Sequence, residues 1–382
     1  MRDSVWHILT GEYPPQTGGV SDYTARVAEG LAARGESVYV WTRPFVELTP
    51  ETFGVEVRRV AGRWGRRDLG RLHEELSRWD APRRLLVQYA PNAWGRKGLN
   101  FAFCNWLLQR RKLGDDVRLM VHEPFYPYQL WGKPTRWLLA AGQRHMMRTL
   151  LQAATKVYVA IPAWAEMLRP FAADKEREMT WLPICSTIPV AAQATQINAL
   201  RQWFAPSGEF IVGSFGTFGG AVADATERIF AALLAERSDT VALFIGQGGE
   251  RLAQRLAWRF PALAGRVRAS GALPAADVSC HLQACDVLVQ PFPDGISTRR
   301  TSAIAGLAHA QPIVTTQGAL SEPLWAGSGA VRLANAGDWV ACVKAVKSLL
   351  DDEAARQELG AQACDFYDAH LALRHTIDKL LV

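Results

Sequence analysis

Residues Val5–Thr42 read VWHILTGEYPPQTGGVSDYTARVAEGLAARGESVYVWT and hold one complete strand, loop, helix and strand. Val5–Thr10 is a short apolar run rich in strand formers, and the Gly- and Pro-bearing stretch Gly11–Gly19 interrupts it. From Ser21 the apolar residues move to helical spacing, with Tyr23, Val27 and Leu31 on one face until Gly35 stops the helix. Ser37–Thr42 is the second strand. That order is a βαβ unit and predicts a parallel sheet.

The same grammar runs outward from this unit. Strands are expected at Leu85–Tyr89, Arg118–His122 and Lys156–Ala160, with helices around Leu99–Arg111 and Thr135–Ala153. Pro189–Gly208 shows no strong strand and reads as a linker. FIVGSFG, beginning at Phe210, restarts the pattern and leads into a helix at Ala223–Ala235, with later strands at Val241–Gly246, Arg266–Ser270, Val287–Gln290 and Pro312–Thr316. Asp338–Leu381 reads as helices throughout. The expected organisation is therefore an α/β protein of two Rossmann-like domains, 1–190 and 207–360, with a terminal helix over 361–382 returning to the first. Ligands of open α/β sheets bind outside the carboxyl ends of the strands, so two facing domains put the site in the cleft.

Composition agrees with a packed globular chain. Of 382 residues, 49% are apolar and 21% charged, a balance that excludes disordered and fibrous classes, and the length suits two cores of about 150 to 200 residues. The six cysteines include no C-x-x-C pair and no dense secreted-type spacing. With no basic-then-apolar leader at Met1–Thr10 and no long apolar run, a cytoplasmic protein is expected, at most resting on the inner face of the cell membrane. The net charge of +6 is concentrated at Arg58, Arg59, Arg63, Arg66, Arg67 and Arg71. Such a cluster suits an anionic partner or a solvated face equally. It forms no recognisable nucleic-acid module, so nucleic acid is not expected as a partner.

Several stretches fall in an ordered series: the loop PPQTGGV ending at Val20, His122-Glu123 after a strand, GSFG at Gly213, GQGG at Gly246, GAL at Gly271 and ACDVLVQP from Ala284. The series resembles the retaining nucleotide-sugar glycosyltransferases of family 4, the glycosyl transferases group 1, which have the GT-B fold. The resemblance covers nearly the whole chain. It implies a transferase of hexosyltransferase type that uses a nucleotide-sugar donor as substrate and a glycan or lipid-linked acceptor, with no cofactor and no metal.

Gly18 and Gly19 open a helix, where backbone amides and the helix dipole suit a diphosphate; a tight structural turn would use the same glycines. His122 ends a strand at the expected cleft, and the resemblance implies that it contacts the transferred sugar. A hydrogen-bonded structural histidine is the alternative. Gly216, Thr217, Gly246, Gly271 and Leu273 are the implied nucleotide contacts, with a parallel-sheet turn as the equal alternative at Gly246, and Glu322 is a candidate for a ribose or sugar hydroxyl, with helix capping as its alternative. Gly246-x-Gly248 is a poor dinucleotide fingerprint because Arg251 stands where a third glycine is needed.

Two departures from the family pattern are plain. The family's paired glutamates would align with Ser297 and Ala305, and both carboxylates are absent. The family's arginine and lysine after the opening glycines of the second domain are also missing from GSFGTFGGAV. Instead Ser297, Thr298, Arg299, Arg300, Thr301 and Ser302 bring hydroxyls and two arginines to a helix start, a candidate diphosphate clamp, with a capped helix start as the alternative. Asp294 is the one carboxylate near the lost pair and a candidate for the sugar contact.

On the acceptor side, Tyr89, Asn92, Trp94 and Tyr126 are candidates for stacking on and hydrogen-bonding a glycan. Phe125, Tyr128 and Trp131 extend that aromatic surface. Lys133, Arg136, Trp137, Leu138, Arg144 and Arg148 suit either an anionic membrane surface or a core-facing helix with a basic outer side. The missing glutamates leave a catalytically silent, nucleotide-sugar-binding homologue as the alternative to a transferase. A sugar-nucleotide epimerase is the further one.

Overall fold

The computed structural model describes residues 5–16, 18–45, 53–59, 62–95, 97–127, 134–191 and 193–382. The chain divides into two compact units. One holds the residues up to Ile184 together with Leu373–Val382, and the other holds Cys185–Ala372.

The first unit is built on seven strands: β1 (Val5–Thr10), β2 (Ser37–Trp41), β3 (Val55–Arg58), β4 (Arg84–Tyr89), β5 (Asp116–Val121), β6 (Lys156–Val159) and β7 (Thr180–Trp181). They pair in parallel in the order β3-β2-β1-β4-β5-β6-β7. The central strands are buried along almost their whole length, which is why they read as continuous apolar runs instead of alternating ones. His7, in β1, sits among Tyr39, Trp41 and Trp79. Asp115 and Asp116 lie where the chain enters β5. Asp115 is fully buried and receives Arg83 at 2.7 Å and Arg110 at 2.6 Å, while Asp116 opens β5.

The chain's last helix, Leu373–Leu381, closes this unit by lying on the helix Gly19–Ala33. Gly30 makes room for it, since a Cβ there would lie 2.8 Å from Ile377. Arg118 donates to the Leu380 carbonyl, and Arg34 pairs with Asp378 at 2.6 Å.

The second unit has β8 (Phe210–Phe215), β9 (Thr240–Ile245), β10 (Val267–Gly271), β11 (Val287–Gln290), β12 (Ile313–Gln317) and β13 (Arg332–Asn335), all parallel, in the order β10-β9-β8-β11-β12-β13. Successive residues serve opposite faces. Ile211, Leu243 and Leu288 join one core, while their neighbours Val212, Phe244 and Val289 join the other, as the two-residue period of a strand requires. Gly213 leaves space for the Cys285 side chain against β8.

The structure departs from the sequence expectation in three places. The edge strands β3, β7 and β13 are only partly buried and lack the continuous apolar run that marks the central strands. The expected linker holds the helix Ala194–Phe204, which packs on the helix Ala275–Gln283. And the helix Glu353–His370 belongs to the second unit, where Leu359 and Ala363 are buried and Phe366 meets Trp325; only Leu373–Val382 joins the first.

Candidate functional site

The strand order of the second unit reverses between β8 and β11, and the loops after their carboxyl ends mark the place where such a sheet binds ligands. The loop after β11 is bolted to β12. Phe292 N donates to Thr316 Oγ1 at 2.8 Å, and Ile296 N donates to the Thr316 carbonyl at 2.7 Å. Gly295 has φ +88°, and a Cβ there would run into Ser321 and the Gly318 amide, so the loop requires glycine at that point.

Within this loop the predicted residues come together but divide into two groups. Ser297 and Thr298 are wholly buried. The Ser297 hydroxyl finds no partner among the described residues. Thr298 donates to Glu322 from its amide at 2.9 Å and its hydroxyl at 2.6 Å. Glu322 also accepts Trp325 Nε1 at 2.7 Å and is 6% exposed. Its oxygens brace the loop, so a ribose or sugar hydroxyl would have to share them with Thr298 and Trp325. The same burial removes Ser297 and Thr298 from the surface that a diphosphate would meet.

The accessible group is Asp294, Arg299, Arg300, Thr301 and Ser302. Asp294 pairs with Arg299 at 2.6 Å and with Arg300, and the Arg300 guanidinium lies over the Phe292 ring at 4.6 Å. Three charged groups therefore form one cluster of net single positive charge at the start of the helix Thr301–Ala308. The helix dipole adds to it. Asp294, expected to reach a sugar, holds two guanidiniums instead.

The predicted nucleotide contacts cluster through backbone. Gly246, at φ +104°, would place a Cβ 2.7 Å from the Gly216 carbonyl, and Gly248 would do the same to the Thr217 carbonyl. These glycines let the loops after β8 and β9 touch. A Cβ on Gly271 would come 3.3 Å from the Glu250 carboxylate, and Leu273 packs against the core.

In the first unit the switch point lies between β1 and β4. Next to it, His122 follows β5 and bonds Gln88 of β4 through Nε2 at 2.7 Å. It meets the Tyr23 ring edge-on at 5.1 Å. Burial lowers its pKa to about 3, so the ring is neutral. Gln88 was missed, although a lone amide in the buried run of β4 was its signal.

The Gly18–Gly19 turn opens the helix Gly19–Ala33. Gly18 is extended backbone facing the Glu12 carboxylate, and the helix after it carries Asp22 in its first turn. Burial raises Glu12, and burial together with Glu12 raises Asp22 to about 6. Two carboxylates at this helix start oppose a diphosphate.

Of the acceptor candidates, Asn92 and Tyr126 are exposed and bonded to each other. Tyr89 and Trp94 are fully buried. Trp94 stacks on Phe103 at 4.0 Å and lies 4.7 Å from Trp64, so it builds core, not surface. Tyr128, Trp131 and Lys133 lie outside the described residues. On the helix Pro134–Ala153, Trp137 and Leu138 are exposed, while Arg144 and Arg148 lie over Phe125 and Phe171. The arginine cluster is not one face either: Arg58 lies over the Trp41 and Trp79 rings, and Arg59 donates to the Pro14 carbonyl. Among the described residues, no helix is long and apolar enough to cross a membrane.

Residues 210–352 match the family described as glycosyl transferases group 1. No curated protein matches the sequence. Solved structures match along the whole chain. Sucrose-phosphate synthase from Thermosynechococcus elongatus is 17% identical with a TM-score of 0.72, covering 99% of this chain and 97% of its own. WaaG, a glycosyltransferase involved in lipopolysaccharide biosynthesis, is 16% identical at 0.69, covering 98% of each chain. Anabaena HepE, in complex with UDP and glucose, is 13% identical at 0.70, covering 100% and 98%. In fold this chain is a GT-B protein, and over its second unit it is similar in sequence to glycosyl transferases group 1.

Proposed function

We propose that the chain transfers a hexosyl group from a nucleotide-sugar donor to a glycan or lipid-linked acceptor, with retention and without a metal, in the cytoplasm or at the inner face of the cell membrane. The observation that carries this reading is the Asp294–Arg299–Arg300 cluster at the helix start beside the β8/β11 switch point. A sugar nucleotide leaves as a diphosphate, so the transition state gains negative charge on the leaving oxygen. Arg299, Arg300 and the amides of the helix start are the donors that meet that charge, in place of the basic pair absent from GSFGTFGGAV. Asp294 acts as a positioning residue that holds the two guanidiniums side by side before the donor arrives. The family match over residues 210–352 and HepE's capture with UDP-glucose support a nucleotide-sugar donor.

The test is donor affinity in variants. Arg299→Ala or Arg300→Ala is expected to weaken nucleotide-sugar binding at least about tenfold, roughly 1.4 kcal/mol. Asp294→Asn is expected to change the affinities for nucleotide diphosphate and nucleotide sugar by the same factor, because it acts on the arginines. Unchanged affinity in both arginine variants contradicts the assignment. Selective loss of the sugar-bearing ligand in Asp294→Asn would return Asp294 to the sugar. Asp294 also neutralises half of the cationic charge, which favours a second reading as a silent nucleotide-sugar binder. Binding without donor turnover, across a panel of acceptors, would establish that reading.

A further inference from the structure

The first unit has two adjoining cavities among the loops that follow β1, β2, β3 and β4. One, of about 560 Å³, is lined by Arg43, Arg63, Trp64, Gly65, Leu99 and Asn100. The other, of about 480 Å³, is lined by Glu12, Gln16, Arg43, Phe45 and Asn92. Arg43 lines both.

The lining of the first cavity is cationic. Arg43 donates to the Ala93 carbonyl at 2.8 Å, and its Nε is buried with no partner among the described residues. Among the described residues, the exposed Arg63 makes only a backbone bond, from its amide to Asp68 at 3.1 Å. Among the described residues no carboxylate pairs with either guanidinium. The turn that presents Arg63 is built firmly. The Asp68 carboxylate takes the amides of Arg63 and Gly65, and Trp64 between them is fully buried at φ +59°. A bulky residue in the left-handed region is rare and is held there only by its surroundings. Here those are the rings of Trp94 and Phe103.

We infer that this cavity binds a phosphate group carried by the acceptor, with the acceptor's hydroxyl-bearing ring in the adjoining cavity. Arg43 stabilises the Glu12 carboxylate of the adjoining cavity, and the two guanidiniums together still leave a net positive charge that suits a phosphate, whose oxygens the guanidinium fork binds in pairs. Glu12, Gln16 and Asn92 supply the acceptor and donor groups that sugar hydroxyls use. Assigning the phosphate to the acceptor rests on the transfer reading above. The phosphate site itself is tested without transfer.

Binding of glucose, glucose 6-phosphate and farnesyl diphosphate to the full chain is measured in wild type, Arg43→Ala, Arg63→Ala, Arg63→Lys and Arg66→Ala. At least one phosphate-bearing probe is expected to bind and glucose not. Arg43→Ala and Arg63→Ala should weaken that probe tenfold or more, Arg63→Lys less, and Arg66→Ala under twofold. Preference for glucose 6-phosphate makes the acceptor a soluble sugar phosphate, and preference for farnesyl diphosphate makes it lipid-linked. The Arg63 side chain is exposed and makes no hydrogen bond or ion pair among the described residues, so its loss is expected to leave the fold intact. No binding of either phosphate probe at millimolar concentration overturns the proposal, as does equal weakening by Arg66→Ala and Arg63→Ala. A chain that binds a phosphate probe through Arg63 but no nucleotide sugar contradicts the transfer reading and leaves this site standing.

Discussion

His122 shows how burial sets the chemistry of a single side chain. Its folded pKa of about 3 lies below the value near 6.5 of an exposed histidine. Between those values the unfolded chain binds a proton that the folded chain does not, so acidification favours unfolding by about 1.4 kcal/mol per pH unit. Asp22, raised to about 6, acts in the opposite sense, since its folded form takes the proton first. A difference between variants isolates the histidine. From pH 7 to pH 5 the wild type should lose about 2 kcal/mol more stability than His122→Gln, as read from denaturant midpoints. Equal losses would show that His122 is protonated in the folded protein. The residue type and strand-end position of His122 were legible in the sequence; Gln88 as its partner was not, because β4 and β5 meet only in the sheet.

At the scale of elements, the loop Pro291–Arg300 is held in shape by its neighbours as well as by the pairing of Asp294 with Arg299 and Arg300 inside it. It packs on the turn after β12, where a Cβ on Gly318 would lie 2.7 Å from the Asp294 carbonyl carbon and a side chain at Gly295 has no room. Gly295→Ala is expected to cost the second unit at least about 2 kcal/mol, from the left-handed φ and the clash together. It should also lower donor affinity, because Asp294 moves with the loop. Wild-type melting and donor binding in Gly295→Ala would contradict this account. The central strands of both units were readable because a strand buried on both faces is a continuous apolar run. The edge strands β3, β7 and β13 were not, since they are only partly buried and carry no continuous apolar run. The roles of Ser297, Thr298 and Glu322 were misread for a related reason. Hydroxyls at a helix start look alike in sequence whether they face a ligand or a buried carboxylate.

On the scale of the whole molecule, the first unit is completed by residues from the far end of the chain. Ile377 and Leu380 are buried in it. Removing residues 373–382 is expected to destabilise that unit by on the order of 4 kcal/mol, from the lost burial of those two side chains. Thermal unfolding of the truncated chain should show a lowered transition for the first unit, and an unshifted one would contradict the contact. The parallel grammar made the two-unit plan legible from Val5–Thr42 outward, but the exact division was not. The segment Ala194–Phe204 and the helix Glu353–His370 are amphipathic pieces whose unit is decided by which core they meet.

The central claim is that this GT-B chain moves a sugar from a nucleotide donor. The most direct measurement is release of nucleoside diphosphate from a panel of nucleotide sugars, with and without glucose 6-phosphate or a lipid-linked acceptor, in wild type and in the Arg299→Ala, Arg300→Ala double variant. The account predicts that one donor is turned over, faster with acceptor, and that the double variant loses that turnover at least about a hundredfold, as two charge-assisted contacts of roughly 1.4 kcal/mol each imply. Wild-type turnover in the double variant, or no turnover of any donor with any acceptor, would contradict it.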